Sequence, residues 1–236
     1  MANVNEIFTD IANAIRKKGG STDKMKPSEM ASKINELPSP SMKDYFDANP
    51  NGGYYFAWGK QGNISNPITS TQLKKCLSYS DTSKVTNMKS MFRNCNNLTS
   101  VPELDTSKVT DMSSMFYSCY KLTSIPELDT QNVTNMSSMF DSCYKLTSIP
   151  KLDTQNVTDM SYMFYDCTKL TEINMINIGC NLDVSPTALK HNALVKLINN
   201  LKSGVTSKTL TMGSSKLALL SDEEKKVATD KGWTLA

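Results

Sequence analysis

Residues 81–176 read as four consecutive 24-residue units: DTSKVTNMKSMFRNCNNLTSVPEL (81–104), DTSKVTDMSSMFYSCYKLTSIPEL (105–128), DTQNVTNMSSMFDSCYKLTSIPKL (129–152) and DTQNVTDMSYMFYDCTKLTEINMI (153–176). Asp, Val, two Met, Phe, Cys and Leu recur at the same places in every unit. A single unit cannot bury its own apolar face, whereas stacked units share a continuous core. The sequence therefore predicts a repeat architecture.

The first half of each unit has the apolar spacing of one face of a short helix. In the second unit the spaced residues are Val109, Met112, Met115, Phe116 and Cys119. Thr110 lies at the start of this segment, directly after Val109. Its hydroxyl could accept a hydrogen bond from a free N–H in the first turn of the helix. We therefore predict a short capped helix in each unit.

The second half of each unit predicts a short strand. Leu122, Ile125 and Leu128 form an L-x-x-I-x-x-L run that is rich in Thr and Ile. Pro126 cannot donate to a sheet ladder, so we expect only about three paired residues. One unit would then be one coil of strand, turn, short helix and turn.

The repeat columns resemble a known family. LTSxP and DTxxVTxMSxMFxxC, over residues 81–176, resemble the BspA-type leucine-rich repeats of bacterial and phage-encoded surface proteins. KTLT and KGWTL in the tail are similar to the closing segment of such proteins. The resemblance implies an α/β leucine-rich-repeat solenoid of 24-residue strand–helix coils with caps at both ends.

The regions that flank the repeats are predicted to cap them. Residues 42–80 are rich in aromatic side chains and form the N-terminal cap, while residues 177–236 form larger strand–helix coils. In the latter, Ser185-Pro186 predicts a helix start, followed by a strand at 208–212. Ser221-x-x-Glu224 is a capping box that opens a second helix, and Gly232 ends that helix before a last strand at 233–235.

The first 38 residues differ from the rest. Residues 1–38 carry two amphipathic stripes separated by Gly19-Gly20, which predicts a helical hairpin, and residues 39–41 read as a linker. Such a hairpin is too small to be stable alone, so we expect it to attach to another protein or to a copy of itself. The sequence of this hairpin resembles the opening segment of tail and baseplate-associated proteins of phages that infect Gram-positive bacteria.

Composition excludes several classes of protein. The chain has 236 residues, of which 39% are hydrophobic and 21% charged, and its formal net charge is +3. This balance does not suit a polybasic nucleic-acid binder. Neither a stretch long enough to span a bilayer nor a signal peptide is recognised. The only histidine, His191, would have to serve any His-dependent triad.

The cysteines are predicted to be free thiols. Four recur with the unit (Cys95, Cys119, Cys143 and Cys167), and Cys76 and Cys180 lie off the period. Helices in neighbouring coils would pack ~8–10 Å apart, whereas a disulfide needs Cα atoms within ~7 Å. We therefore expect six free, mostly buried thiols, and the absence of a C-x-x-C pair argues against zinc.

Two further columns have a structural interpretation beside a functional one. Asp81, Asp105, Asp129 and Asp153 could hold calcium, but the residues that follow them favour Asx turns. The two methionine columns could line an adaptable binding groove, but their spacing places them on the buried face. We expect turns and core packing respectively, and no metal site.

Exposed tyrosines are the candidate binding residues. Tyr117 and Tyr165 share a variable column with Arg93 and Asp141, and Tyr120 and Tyr144 share a second one with Asn96 and Thr168. Tyrosine is enriched at interfaces because a rigid amphipathic ring loses little entropy on binding. Ordinary surface decoration is the alternative.

Taken together, these features predict a non-enzymatic binding protein with no catalytic residue and no cofactor. The leading interpretation is a phage tail or baseplate component of the virion, in which residues 1–38 attach to the particle or form a homo-oligomer. The repeats would contact another virion protein or a host cell-surface protein or glycan. The alternative is an adhesin on the extracellular surface of a bacterium. Protein, glycan and teichoic acid stay open as ligands, whereas nucleic acid and membrane insertion are not expected.

Overall fold

The computed structural model describes residues 82–236. The predictions for the hairpin, the linker, the aromatic cap and Cys76 lie outside the described residues. Within them the elements in chain order are β1 (Ser148–Asp153), β2 (Glu172–Ile176), β3 (Leu182–Asp183), α1 (His191–Asn199), β4 (Lys208–Thr211), α2 (Ser214–Leu217), α3 (Asp222–Asp230) and β5 (Trp233–Leu235).

Main-chain hydrogen bonds join each repeat laterally to the next one. In the first pair, Ser90 N donates to Ser113 O at 2.8 Å, and Phe92 N donates to Met115 O at 2.8 Å. Parallel bridges connect one residue of each repeat, namely Asn87, Asp111, Asn135 and Asp159. Each repeat is therefore one layer, and we call residues 82–178 the repeat stack.

The prediction of a short helix in each repeat is wrong. Met115 N donates to Met112 O and Cys119 N to Phe116 O, both at 3.1 Å, so the segment is a series of three-residue turns. Ser114 and Ser118 have φ of 55° and 57°, which is incompatible with a right-handed helix. Thr110 does not cap a helix: its hydroxyl donates to Thr86 O of the preceding repeat at 3.1 Å.

A strand forms at the predicted place in the last two repeats only. β1 and β2 pair in parallel, with a bulge between Ile149 and Leu152. Pro150 lies in that bulge because it has no N–H to donate. β2 carries Asn174 where the other three repeats carry proline. Strand pairing therefore forms where one of the two neighbouring repeats lacks the proline. β1 has six residues, which is longer than the three paired residues expected.

The core of the repeat stack consists of the predicted columns. The Val, Met, Met, Phe, Cys and Leu columns are buried in all four repeats. The phenylalanine rings stack in one row, with centroids 5.4 Å apart for Phe92–Phe116, 5.6 Å for Phe116–Phe140 and 6.0 Å for Phe140–Phe164. The methionines are therefore core residues and do not line a groove.

Past the repeat stack, a parallel sheet and three helices follow. The strand order is β3-β4-β5, and α1 contacts both β2 and α3. The strands near 208–212 and 233–235 and the capping box of Ser221 and Glu224 are confirmed. The helix start at Ser185-Pro186 is wrong, because α1 begins at His191. Ser185 N instead donates to Asp183 Oδ1 at 2.8 Å, which places Pro186 in a turn. No helix within residues 82–236 is long and apolar enough to cross a membrane.

Candidate binding surface

Tyr120 and Tyr144 form a stacked pair on the surface of the repeat stack. Their ring centroids lie 5.2 Å apart with an interplanar angle of 20°, and each residue is 40% exposed. Tyr120 lies in a β-turn that is closed by a hydrogen bond from Leu122 N to Cys119 O. Tyr144 lies in the equivalent turn, in which Leu146 N donates to Cys143 O. The turn directs the ring outward while the flanking Cys and Leu are buried in the core.

Tyr117 belongs to the adjacent column and is only half-exposed. The guanidinium carbon of Arg93 lies 4.3 Å from its ring centroid, which is a cation–π contact between neighbouring repeats. Burial raises the pKa of Asp141, and the Ser142 hydroxyl, which donates to Asp141 Oδ1 at 2.8 Å, offsets part of this effect. Asp141 occupies the repeat between Tyr117 and Tyr165, so these two tyrosines are not neighbours.

Tyr165 has an aromatic partner that the sequence did not reveal. Its ring packs edge-on against Tyr162, with centroids 6.4 Å apart and an angle of 73°. Tyr162 is 68% exposed and has φ of 56°. The matching residues of the other repeats, Ser90, Ser114 and Ser138, share this left-handed backbone. The only sequence signal is the replacement of serine by a large aromatic residue in that column.

The substitution Tyr162→Gly separates a structural role of this ring from a binding role. Left-handed backbone costs a non-glycine residue about 1–2 kcal/mol, and the larger unfolded-state entropy of glycine offsets about 0.5–1 kcal/mol of the gain. We expect the free energy of unfolding to stay unchanged or to rise by up to about 1 kcal/mol, measured by urea denaturation. Ser114→Gly is the matched control at the same backbone position. A clear loss of stability in the Tyr162 variant alone would mean that the ring supports the fold.

The aspartate column forms Asx turns, as predicted. Asp105 Oδ1 accepts from Ser107 N at 3.0 Å, while Asp129 Oδ1 and Asp153 Oδ1 each accept, at 3.1 Å, from the N–H two residues on. A second set of Asx turns exists at the bridged column, for example Asp111 Oδ1 with Ser113 N at 2.8 Å. Asp81 lies outside the described residues. Among residues 82–236, His, Cys, Asp and Glu side chains form no group of three or more suited to a metal ion.

The five described cysteines are free and buried, but the expected reason is wrong. The repeats are joined by β-bridges, which place chains ~4.7–4.9 Å apart, rather than by packed helices. Separation alone therefore does not prevent bridging. Three of the thiols contact the main chain of the preceding repeat: Cys119 Sγ lies 3.1 Å from Phe92 O, Cys143 Sγ 3.2 Å from Phe116 O and Cys167 Sγ 3.0 Å from Phe140 O.

We expect the described part of the chain to lose stability steeply above pH 9. Burial raises the pKa of Cys167 to about 12 and that of Cys180 to about 11, and it raises those of Cys119 and Cys143 well above their ordinary value. The unfolded chain releases these protons from about pH 9, whereas the folded chain retains them until the raised pKa is reached. Each fully buried thiol therefore removes about 1.4 kcal/mol of stability per pH unit in this window.

Urea denaturation in reducing buffer between pH 8 and 11 measures this effect. Tyrosine and lysine also titrate there, so the comparison is with the variant Cys119→Ala/Cys143→Ala, which should have a shallower decline. Equal slopes in the two proteins would contradict the assignment to thiols. Alkylation under native and then denaturing, non-reducing conditions, followed by mass measurement, tests whether the thiols are free.

His191 links two helices. Its Nε2 lies 2.9 Å from Glu224 Oε1, and Glu224 is also the acid of the capping box of α3. The side-chain hydrogen bond in which the Glu224 carboxylate accepts from the ring raises the pKa of His191, which is exposed. The His191 ring therefore joins the first turn of α1 to the first turn of α3. This contact gives the only histidine of the sequence a structural role.

Comparison with known proteins bears on the repeats and on the residues directly before them. Residues 63–178 match a family model described as "Mycoplasma protein of unknown function, DUF285". This region is therefore similar to a family of BspA-like repeats, in keeping with the resemblance of the repeat columns. The match does not include residues 1–38, so it carries no information on the phage-like hairpin. No curated protein and no solved structure matches the chain.

Proposed function

We propose that this chain is a non-enzymatic binding protein built on a leucine-rich-repeat solenoid. The carrying observation is the contrast between invariant buried columns and a variable surface that exposes aromatic rings. Tyr120, Tyr144, Tyr162 and Tyr165 all rank among the exposed large hydrophobic residues. Rigid aromatic side chains of this kind dominate many interfaces.

The leading form of the proposal is a tail or baseplate component of a phage. In this form residues 1–38 attach the chain to the particle, and the repeats contact a host cell-surface protein or glycan, or another virion protein. The resemblance of the opening segment supports this form. A bacterial cell-surface adhesin is the second candidate, and the resemblance of the repeat columns to BspA-type surface proteins supports it.

Locating the natural protein separates these two forms. Antibody against the chain would be used on particles purified after prophage induction and on the cell-envelope fraction of the same culture. Detection in purified tail particles supports the virion form, while detection in the envelope alone supports the adhesin.

Binding is expected to depend on the exposed tyrosines. The variant Tyr117→Ser/Tyr120→Ser/Tyr144→Ser/Tyr165→Ser should weaken attachment to cells or to the partner particle at least about tenfold, or ~1.4 kcal/mol. The cation–π contact of Tyr117 with Arg93 is lost as well, at about 0.5–1 kcal/mol of stability, so the melting temperature is measured in parallel.

The control removes exposed apolar area from the other end of the chain. Leu219 and Val227 are exposed residues beyond the repeat stack, and Leu219→Ser/Val227→Ser should leave attachment unchanged. A folded quadruple variant that attaches like the parent would refute the tyrosine surface.

A further inference from the structure

A row of lysines runs beside the stacked tyrosines. Every repeat turns at a β-turn in which a leucine N–H donates to the cysteine carbonyl three residues earlier. The two central residues of the last three turns are exposed: Tyr120-Lys121, Tyr144-Lys145 and Thr168-Lys169. We call Tyr120, Tyr144 and the three lysines the tyrosine–lysine corner.

Within residues 82–236 no carboxylate pairs with any of these three ammonium groups. The ion pairs of residues 82–236 are made by other lysines and by His191. The polar contact of the row is a hydrogen bond from Lys121 Nζ to the neutral Asn97 Oδ1 at 2.8 Å. Bridged repeats lie ~4.7–4.9 Å apart, which is less than the Debye length of ~8 Å at physiological ionic strength. The three like charges therefore repel one another.

The repeat itself does not require this row. The aspartate column is also like-charged, but its carboxylates accept main-chain hydrogen bonds in Asx turns. Another exposed column mixes sign, with Glu103, Glu127 and Lys151. Among the described residues the lysine row supports no turn and neutralises no acid. A ligand of opposite charge is therefore the partner that its chemistry fits.

The tyrosine stack restricts which anion fits. Because Tyr120 and Tyr144 stack at 5.2 Å, each ring covers one face of the other and a nucleic-acid base cannot insert between them. This halves the ring surface available for the base stacking on which single-strand binding depends. The phenol groups can instead donate and accept hydrogen bonds. A flexible lysine is a compact point charge that suits phosphate or carboxylate groups.

We infer that the tyrosine–lysine corner binds a linear anionic polymer without bases, laid along the stacking direction so that successive phosphates or carboxylates meet Lys121, Lys145 and Lys169. The inference rests on the proposed function and specifies the class of its ligand. A linear partner fits because the three charges occupy the same position in three successive repeats and so form a row. A single small anion would engage only one or two of them.

Binding of the full chain to defined polymers tests the inference. The probes are inorganic polyphosphate, polygalacturonate, orthophosphate and a single-stranded oligothymidine. The variant Lys121→Gln/Lys145→Gln/Lys169→Gln should lose at least tenfold in affinity for the polymer at low salt. The slope of log affinity against log salt concentration should become shallower by about two to three. The control Lys89→Gln/Lys108→Gln/Lys151→Gln removes the same charge from other exposed columns and should change affinity much less.

The outcomes also identify the anion. Binding of polyphosphate alone assigns a phosphate polymer, binding of polygalacturonate alone assigns a carboxylate polymer, and binding of both assigns recognition by charge. Absence of binding to both, an equal loss in the control variant, or tighter binding of oligothymidine or orthophosphate overturns the inference. If the lysine variant still attaches to cells or particles while the tyrosine variant does not, the proposed function stands without the polymer. If the protein binds the polymer but attaches to neither cells nor particles, the polymer site stands and the proposed function does not.

Discussion

Replacing Phe116 with alanine is expected to lower the free energy of unfolding by about 3–5 kcal/mol. The Phe116 side chain is fully buried, and its ring stacks on Phe92 on one side and on Phe140 on the other. Truncation removes apolar burial, leaves a cavity and interrupts the ring row between two layers. Each repeat is stabilised mainly by its neighbours, so the loss acts on both interfaces of the second repeat.

Urea denaturation followed by far-ultraviolet circular dichroism measures this effect. Phe116→Leu retains most of the volume and should cost less than about 1.5 kcal/mol. Tyr120→Ala is the control for loss of a ring at the surface, where the stacked pair contributes about 0.5–1.5 kcal/mol. If Phe116→Ala were no more damaging than Tyr120→Ala, the row of rings would not be the core of the repeats.

The second large effect is expected for Gly232→Ala, at about 2–5 kcal/mol. Gly232 has φ of 93° between α3 and β5, a conformation that a side chain disfavours. A Cβ atom there would lie 2.0 Å from Val205 O and 3.1 Å from Val205 C. Because both are main-chain atoms, no side-chain rotation relieves the overlap, and the backbone at Gly232 or at Val205 would have to shift.

Two other glycines separate the contributions. Gly204 has φ of 72° with open space around it. Gly204→Ala should therefore lower the free energy of unfolding only by the cost of left-handed backbone, about 1–2 kcal/mol. At Gly179 a Cβ would lie 3.3 Å from the flexible Lys202 side chain and 3.8 Å from Asn177 O, the latter an ordinary van der Waals contact. Gly179→Ala should therefore stay within about 1 kcal/mol. The buried Trp233, next to Gly232, reports the transition by fluorescence. If Gly232→Ala and Gly204→Ala lost equal stability, the main chain at Val205 would be able to move aside at little cost.

The register of the candidate surface could be read from the sequence, whereas its contacts could not. Residues 24 apart must lie in neighbouring layers, which is why Tyr120 and Tyr144 meet as ring neighbours. The same rule places Lys121, Lys145 and Lys169 in one row, although the tyrosines alone drew attention to that corner. Tyr162 went unnoticed because its column holds serine elsewhere, and its pairing with Tyr165 depends on a left-handed backbone that the residue type does not favour.

The sequence by itself determined the period, the layers and the buried columns, because only inward positions need the same apolar residue every 24 residues. The tertiary structure alone decided between helix and turns. A buried residue at every third position fits either, and the choice depends on where each N–H finds its acceptor. In the repeat stack, Met112 N donates to Asn135 O of the next layer at 2.9 Å instead of to a carbonyl four residues away. That partner exists only once the layers have assembled, so no local pattern can specify it.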